Sequence, residues 1–354
     1  MIFSFAGGLA RVRDSLWTIG TIVLAATISY TIARYGLSHP VPLLAVTVAI
    51  SSLGFARDTR PDRVLTTAVA MVLGVALSET LLIVYGSGVL QLFFAIGLSL
   101  VLARLISANP AFALTVALQA VLVQLLQEPT GGVFARAIDG VVGAVVALLF
   151  TALLPRNPIK LARSDAGELF EIFKNTLSDI RSALISNDVA LADSALERIR
   201  KTQPLVDNWK SSLESAEAIS KISPFYRWAT KEVASQLVVM RAMDLATRNL
   251  RVLARRVDFV VRDGRSREQL ASLVSKLIIA VDLIESATDD FSMSQKARKY
   301  VSKLTRQLDP ASFDPPLSTS DVAVLMQIRP LSVDLCQAAG LDVEKAKELL
   351  PKVD

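Results

Sequence analysis

Apolar residues run almost unbroken through the first part of the chain, then fall into a helical rhythm through the rest. The unbroken stretches cover roughly 14–34, 41–56, 64–85, 89–107, 110–127 and 133–154. Each is close to the ~20 residues that an α-helix needs to cross a bilayer. The second and fifth are short enough to tilt or to stop short of crossing. Between them lie turn-forming clusters: Ser38-His39-Pro40, Asp58-Thr59-Arg60-Pro61-Asp62, Gly86-Ser87-Gly88, Asn109-Pro110 and Glu128-Pro129-Thr130-Gly131-Gly132. The pattern predicts an all-α chain whose residues 1–158 form a six-span transmembrane bundle.

The rhythm changes at Leu153-Leu154-Pro155-Arg156-Asn157-Pro158. Beyond it, periodic apolar positions predict helices near 163–186, 188–220 (with a break near Pro204), 224–262, 266–290, 293–308, 319–339 and 342–350. Ser223-Pro224 reads as an N-cap with Pro at the first helical position. Asp263-Gly264 reads as a stop, and Ser266 with Gln269 as a capping box. Residues 159–354 are thus expected to form a cytoplasmic antiparallel helical bundle.

Charge sharpens this division. Residues 1–156 hold nine Arg, no Lys and six acidic residues; the rest holds 29 Lys+Arg and 27 Asp+Glu. With the N-terminus inside, Arg11, Arg13, Arg57, Arg60, Arg63, Arg104, Arg156, Lys160 and Arg163 lie on the cytoplasmic side. Only Arg34 and Arg136 then lie near the outer face. This bias predicts both termini inside a plasma membrane. Arg11 and Arg13 before an apolar run resemble a signal peptide, but no small-residue cleavage site follows, so an uncleaved first span is expected.

Composition excludes several functions. One Cys and one His leave no disulfide framework and little zinc or triad chemistry. No phosphate-binding loop occurs, so no cofactor and no nucleotide engine is expected. The positive balance reads as topology, not as nucleic-acid binding. No cluster has catalytic spacing, and an enzyme is not expected.

The first part also looks duplicated. Pro42-x4-Thr47-Val48-Ala49-Ile50 resembles Pro110-x4-Thr115-Val116-Ala117-Leu118, and Gly74 stands to the first half as Gly143 does to the second. An offset of three spans implies an inverted repeat, a design whose pathway lies at the repeat interface.

Charges inside spans are costly. Glu79, Arg136 and Asp139 sit in the outer third of their spans, and Arg34 ends span 1 at the same depth. Arg136 and Asp139, three residues apart on one helix, can pair. They form either an anion-attracting vestibule or a structural ion pair. Thr115 and Gln119 share a face of span 5 and either line a hydrated pathway or bond to a neighbouring helix. Arg63 and Arg104, with the 57–63 loop, collect positive charge at the inner mouth. Ala70, Gly74 and Ser78, and Gly140, Gly143, Ala144 and Ala147, form stripes that let helices approach closely. Arg241, Arg248, Arg251, Arg255 and Arg262 recur along one long helix and read as a solvated face.

The stretch from Arg136-Ala137-Ile138-Asp139-Gly140 through Gly143 to Leu154-Pro155 resembles the fusaric acid resistance and aromatic acid exporter group of bacterial membrane proteins. In layout it is also similar to plant aluminium-activated malate channels. The resemblance covers roughly residues 10–160, and Arg136, Asp139, Gly140 and Gly143 fit the family pattern. It implies export of small organic anions, aromatic or other carboxylates, driven by the membrane potential or a proton gradient. Many members carry two six-span units in one chain, so a homodimer is the expected partner state. The rival expectations are a passive anion channel and a membrane-anchored scaffold whose helical domain binds a partner.

Overall fold

The computed structural model describes residues 5–55, 60–126, 132, 134–154, 158–223 and 225–352. The Arg57-Asp58-Thr59 part of the basic loop, the 128–131 turn, residues 155–157 and Pro224 lie outside them. Every regular element among the described residues is helical. Contacts divide the chain into two compact units: Met1–Pro158 with Ala218–Trp228, and Ile159–Glu217 with Ala229–Asp354.

In the first unit, α1 (Phe5–Thr31) continues as a π-helical turn, Ile32–Gly36. Then come α2 (Leu43–Leu53), α3 (Pro61–Tyr85), α4 (Val89–Ile106), α5 (Pro110–Leu125) and α6 (Ala135–Leu153). The segments Ser15–Gly36, Pro61–Tyr85, Val89–Ile106 and Ala135–Leu153 are long and apolar enough to cross a membrane. The two short stretches are indeed short: α2 has 11 residues and α5 has 16. At 1.5 Å per residue they reach ~16 and ~24 Å, less than the ~30 Å hydrocarbon layer. Local chemistry sets these ends. Pro61 and Pro110 open their helices, and Asn109 Oδ1 accepts from Ala111 N–H at 3.0 Å. Gly54 and Gly86, at φ +52° and +72°, close α2 and α3.

The packing repeats itself. α2 lies against α1 and α6, as α5 lies against α4 and α3; α3 and α6 also pack together. Exchanging the first three helices for the last three maps this pattern onto itself. Both crossings run through glycine. A Cβ at Gly74 would fall 2.3 Å from Val116 O, and one at Gly143 would fall 2.4 Å from Ala45 O. Gly140 differs from the expected role: its nearest neighbour, Val72 Cγ2, is 3.5 Å away, an ordinary contact. The seam of closest approach runs through Gly143, beside the predicted stripe. Small residues are buried, while Val23, Leu24, Phe93, Phe94, Leu118, Val145 and Leu149 face outward.

The second unit contains α7 (Pro158–Ser186), α8 (Val189–Arg200), most of α9 (Gln203–Ile222), α10 (Thr230–Val260), α11 (Glu268–Asp289), α12 (Ser294–Thr305), α13 (Thr319–Ala338) and α14 (Val343–Glu348). Its core is large and apolar: Phe170, Phe173, Leu177, Trp209, Leu250, Leu277 and Ile328 are buried. The predicted break near Pro204 falls at Lys201–Thr202, and Asp188 caps α8 by accepting from Ala190 and Leu191 N–H. Gly264 ends the long helix in a left-handed turn, as its sequence predicts.

Two predicted caps are corrected. The long helix α10 starts at Thr230, after a 3₁₀ turn at Arg227–Ala229, so Ser223 is not its cap. The cap position of α11 is Arg267, not Ser266. Gln269 instead reaches across to Asp314 O at 2.6 Å. In both places a long-range contact outcompetes the local signal. Arg267, buried, bonds Asp321 at 2.5 Å and Asp263 at 2.6 Å, and its N–H bonds Leu184 O at 2.7 Å.

Candidate functional site

Polar groups of the first unit gather at both ends of the α3–α5 seam. At the end where α3 and α5 begin there is a cavity of about 680 Å³. Its charged and polar walls include Arg60, Asp62, Arg63, Thr66, Thr67, Asn109, Thr115 and Ser51. Ala70, Ala111 and Phe112 supply apolar surface. The first turns of two helices therefore meet there, and helix N-termini carry partial positive charge. Of the predicted pathway residues, Thr115 and Arg63 share this cavity. Arg104 does not: it bonds Ala108 O at 2.6 Å and holds the turn before α5.

Gln119 sits one helical turn beyond Thr115. Its Cβ lies 3.0 Å from the point where a side chain on Gly74 would begin. Its buried Oε1 has no hydrogen-bond partner, and neither does Gln124 Oε1. Further along, Ser78 Oγ donates to Ala120 O at 2.7 Å, and Gln124 Nε2 donates to Ser78 O at 3.4 Å. The seam is thus polar along its length, with acceptor capacity left over at its centre.

The second cluster lies where α3 and α5 end and α6 begins. Phe134, in the left-handed region at φ +59°, precedes α6 and offers no side-chain cap. Glu79, fully buried on α3, fills that role. Its carboxylate accepts from Arg136 N–H at 3.3 Å and Ala137 N–H at 3.0 Å. An anion at a helix N-terminus satisfies orphan donors and the helix dipole together. Arg136 donates to Val123 O at 3.1 Å, near the end of α5. Arg34 donates to Pro40 O at 2.7 Å and so holds the loop before α2.

The expected Arg136–Asp139 pair is not formed. The buried Asp139 carboxylate instead lies 2.6 Å from His39 Nδ1. The π turn and Ser38, at φ +60°, fold the chain back so that His39 reaches α6. This partner was missed because a contact 100 positions away has no local signature. Asn109 and Thr67 were missed too, although Asn-Pro and a helix-opening Arg-Pro both mark helix N-termini.

The fusaric acid resistance protein-like family model matches residues 10–150, the stretch that holds both clusters. An uncharacterized protein of Corynebacterium glutamicum is 30% identical over 98% of this chain and 91% of its own length. The chain belongs to the fusaric acid resistance protein-like family. A further similarity is to a Mycobacterium tuberculosis protein named "Putative arylamide transporter", 27% identical over 54% of this chain and 59% of that protein. The Mycobacterium bovis protein of the same name matches to the same extent. In this member of the family, Asp139 holds His39, while Gly143 makes the closest approach to α2. The family membership and the apolar helices together make it a multi-pass membrane protein.

Proposed function

We propose that the chain is a plasma-membrane transport protein that exports organic anions, aromatic or other carboxylates, as a homodimer with both termini cytoplasmic. In this reading α2 and α5 complete a six-span unit as shortened helices, a construction found at transporter binding sites. The observation that carries the reading is the cavity at the start of α3 and α5. It combines Arg60, Arg63 and two helix N-termini with the ring of Phe112 and the methyls of Ala70 and Ala111. That pairing of a positive rim with an apolar floor suits an anion attached to a ring. The arylamide named for the mycobacterial relatives is also a ring-bearing solute.

Gln119 would then be the narrow point of the path, with its unpartnered Oε1 available to water or a passing donor. Expulsion of an anion from a cell that is negative inside is downhill by about 2.3 kcal/mol per charge per 100 mV. The potential alone is therefore sufficient, and the His39–Asp139 pair offers a place where a proton gradient would add to it.

The test is efflux of labelled aromatic and aliphatic carboxylates from proteoliposomes with the potential and pH gradient clamped separately. Arg63→Gln should cut efflux roughly tenfold, equivalent to about 1.4 kcal/mol of lost anion stabilisation. Gln119→Leu should close the path while the protein stays folded. Efflux of every acid at the rate of empty liposomes, or full efflux by Arg63→Gln, would reject the reading.

A further inference from the structure

We propose that the turn between α9 and α10 is a membrane-interface anchor, with Phe225 and Trp228 set in the lipid headgroup layer. Ile222, Phe225 and Trp228 are large, apolar and exposed within seven residues of chain. Elsewhere in this half, large apolar side chains mostly fill the core. The register of the helices says what covers these three.

α7 and the α8–α9 pair run antiparallel. Asp179 bonds Arg198 at 2.5 Å, Phe170 lies 6.0 Å from Trp209, centroid to centroid, and Asp165 accepts from Ser212 at 2.5 Å. Continued at the same pace, the last turn of α9 stands level with the first turn of α7. Arg163, 2.5 Å from Glu232, brings the first turn of α10 to the same end. Only three residues separate Leu154, just past the end of α6, from Pro158, where α7 begins. Fully extended, that link spans at most ~14 Å. The aromatic turn is therefore held at the level where the chain leaves the hydrocarbon. In keeping with this, Ala218–Trp228 clusters with the membrane-crossing unit and not with the remainder of α9 and α10.

The chemistry fits that depth. Trp rings favour the headgroup region, where an apolar face and an N–H are both accommodated. Here Trp228 Nε1 already donates to Phe225 O at 3.0 Å, so partial burial in lipid leaves no orphan donor. Lys221, Arg227 and Lys231 flank the pair with the charge that anionic headgroups attract.

The test uses the full chain in phosphatidylcholine vesicles whose acyl chains carry bromine either near the glycerol or near the methyl end. The chain has three Trp, so the emission lost on Trp228→Phe isolates this residue. That component should be quenched mostly by the shallow bromine, weakly by the deep one, and little by aqueous iodide. A Trp228 component untouched by both brominated lipids overturns the proposal. In that case iodide quenching would place the residue in water, and its absence would place it against protein.

Discussion

The two units solve packing in opposite ways. In the first, the buried residues are small or polar, such as Ala45, Ala70, Gly74, Ala120, Ser78 and Glu79, while Leu and Phe point outward. In the second, Trp209, Phe170 and Leu177 are buried and the charges lie outside. Water drives large apolar groups inward, but lipid offers them no such incentive. Close backbone approach and satisfied polar groups must then hold the membrane helices together. The same alphabet therefore carries opposite instructions on either side of Pro158.

The largest expected effect tests that reversal. Adding one methyl at Gly74 or Gly143 puts carbon 2.3–2.4 Å from a backbone carbonyl that cannot swing aside. Gly74→Ala and Gly143→Ala should each cost about 3 kcal/mol or more, at the upper end of overpacking penalties. Gly140→Ala should be close to neutral. Thermal unfolding in detergent would rank the three, and equal melting temperatures would undo the account of the glycine seams.

Next comes the charged network of the second unit. Arg267 is the rare buried cation there, shared by Asp263 and Asp321. Arg267→Ala should cost about 3 kcal/mol, because it strands two carboxylates and unties α11 from its neighbours. Arg262→Ala, an exposed pair with Asp258 on the same helix, should cost well under 1 kcal/mol. A similar loss for both would show that burial does not decide the value of a charge here.

The smallest effect is set by pH. Burial pushes the Asp334 carboxyl up to about 6, although its hydrogen bond from Asn249 pulls the other way. The folded form then keeps a proton that the unfolded chain releases above about 4. The cost of ionising Asp334 is absent below pH ~4, grows as pH rises through this window, and is complete above ~6, at about 2 kcal/mol. Asp334→Asn should remove that slope and raise the melting temperature at neutral pH. An unchanged pH profile would mean that Asp334 is hydrated in the folded protein.

How legible was this in the sequence? Element positions followed from periodicity and from Pro and Gly punctuation, so α3 to α6 fall within a few residues of the apolar runs. The glycine at each crossing was visible as part of a small-residue stripe. Which glycine mattered was not, because Gly140 and Gly143 differ only in what lies opposite them. The same limit applies to the polar residues. Thr115 and Arg63 were found by type and position, whereas Asp139 was matched with its sequence neighbour Arg136 instead of the distant His39. Caps failed for this reason too. Ser266 has the right spacing, but Gln269 is drawn to Asp314 by the fold.

The π turn at Ile32–Gly36 is a helix carrying one residue more than its hydrogen bonding would otherwise need, with Leu37 N–H reaching back five places to Ile32 O. Such a turn makes the length of this segment a setting in its own right. Deleting a single residue there would let the α-helix run on unbroken and rotate everything after it by about 100°. His39 would leave Asp139 without any change in the identity of either residue, so the pair depends on a count of residues as well as on their chemistry.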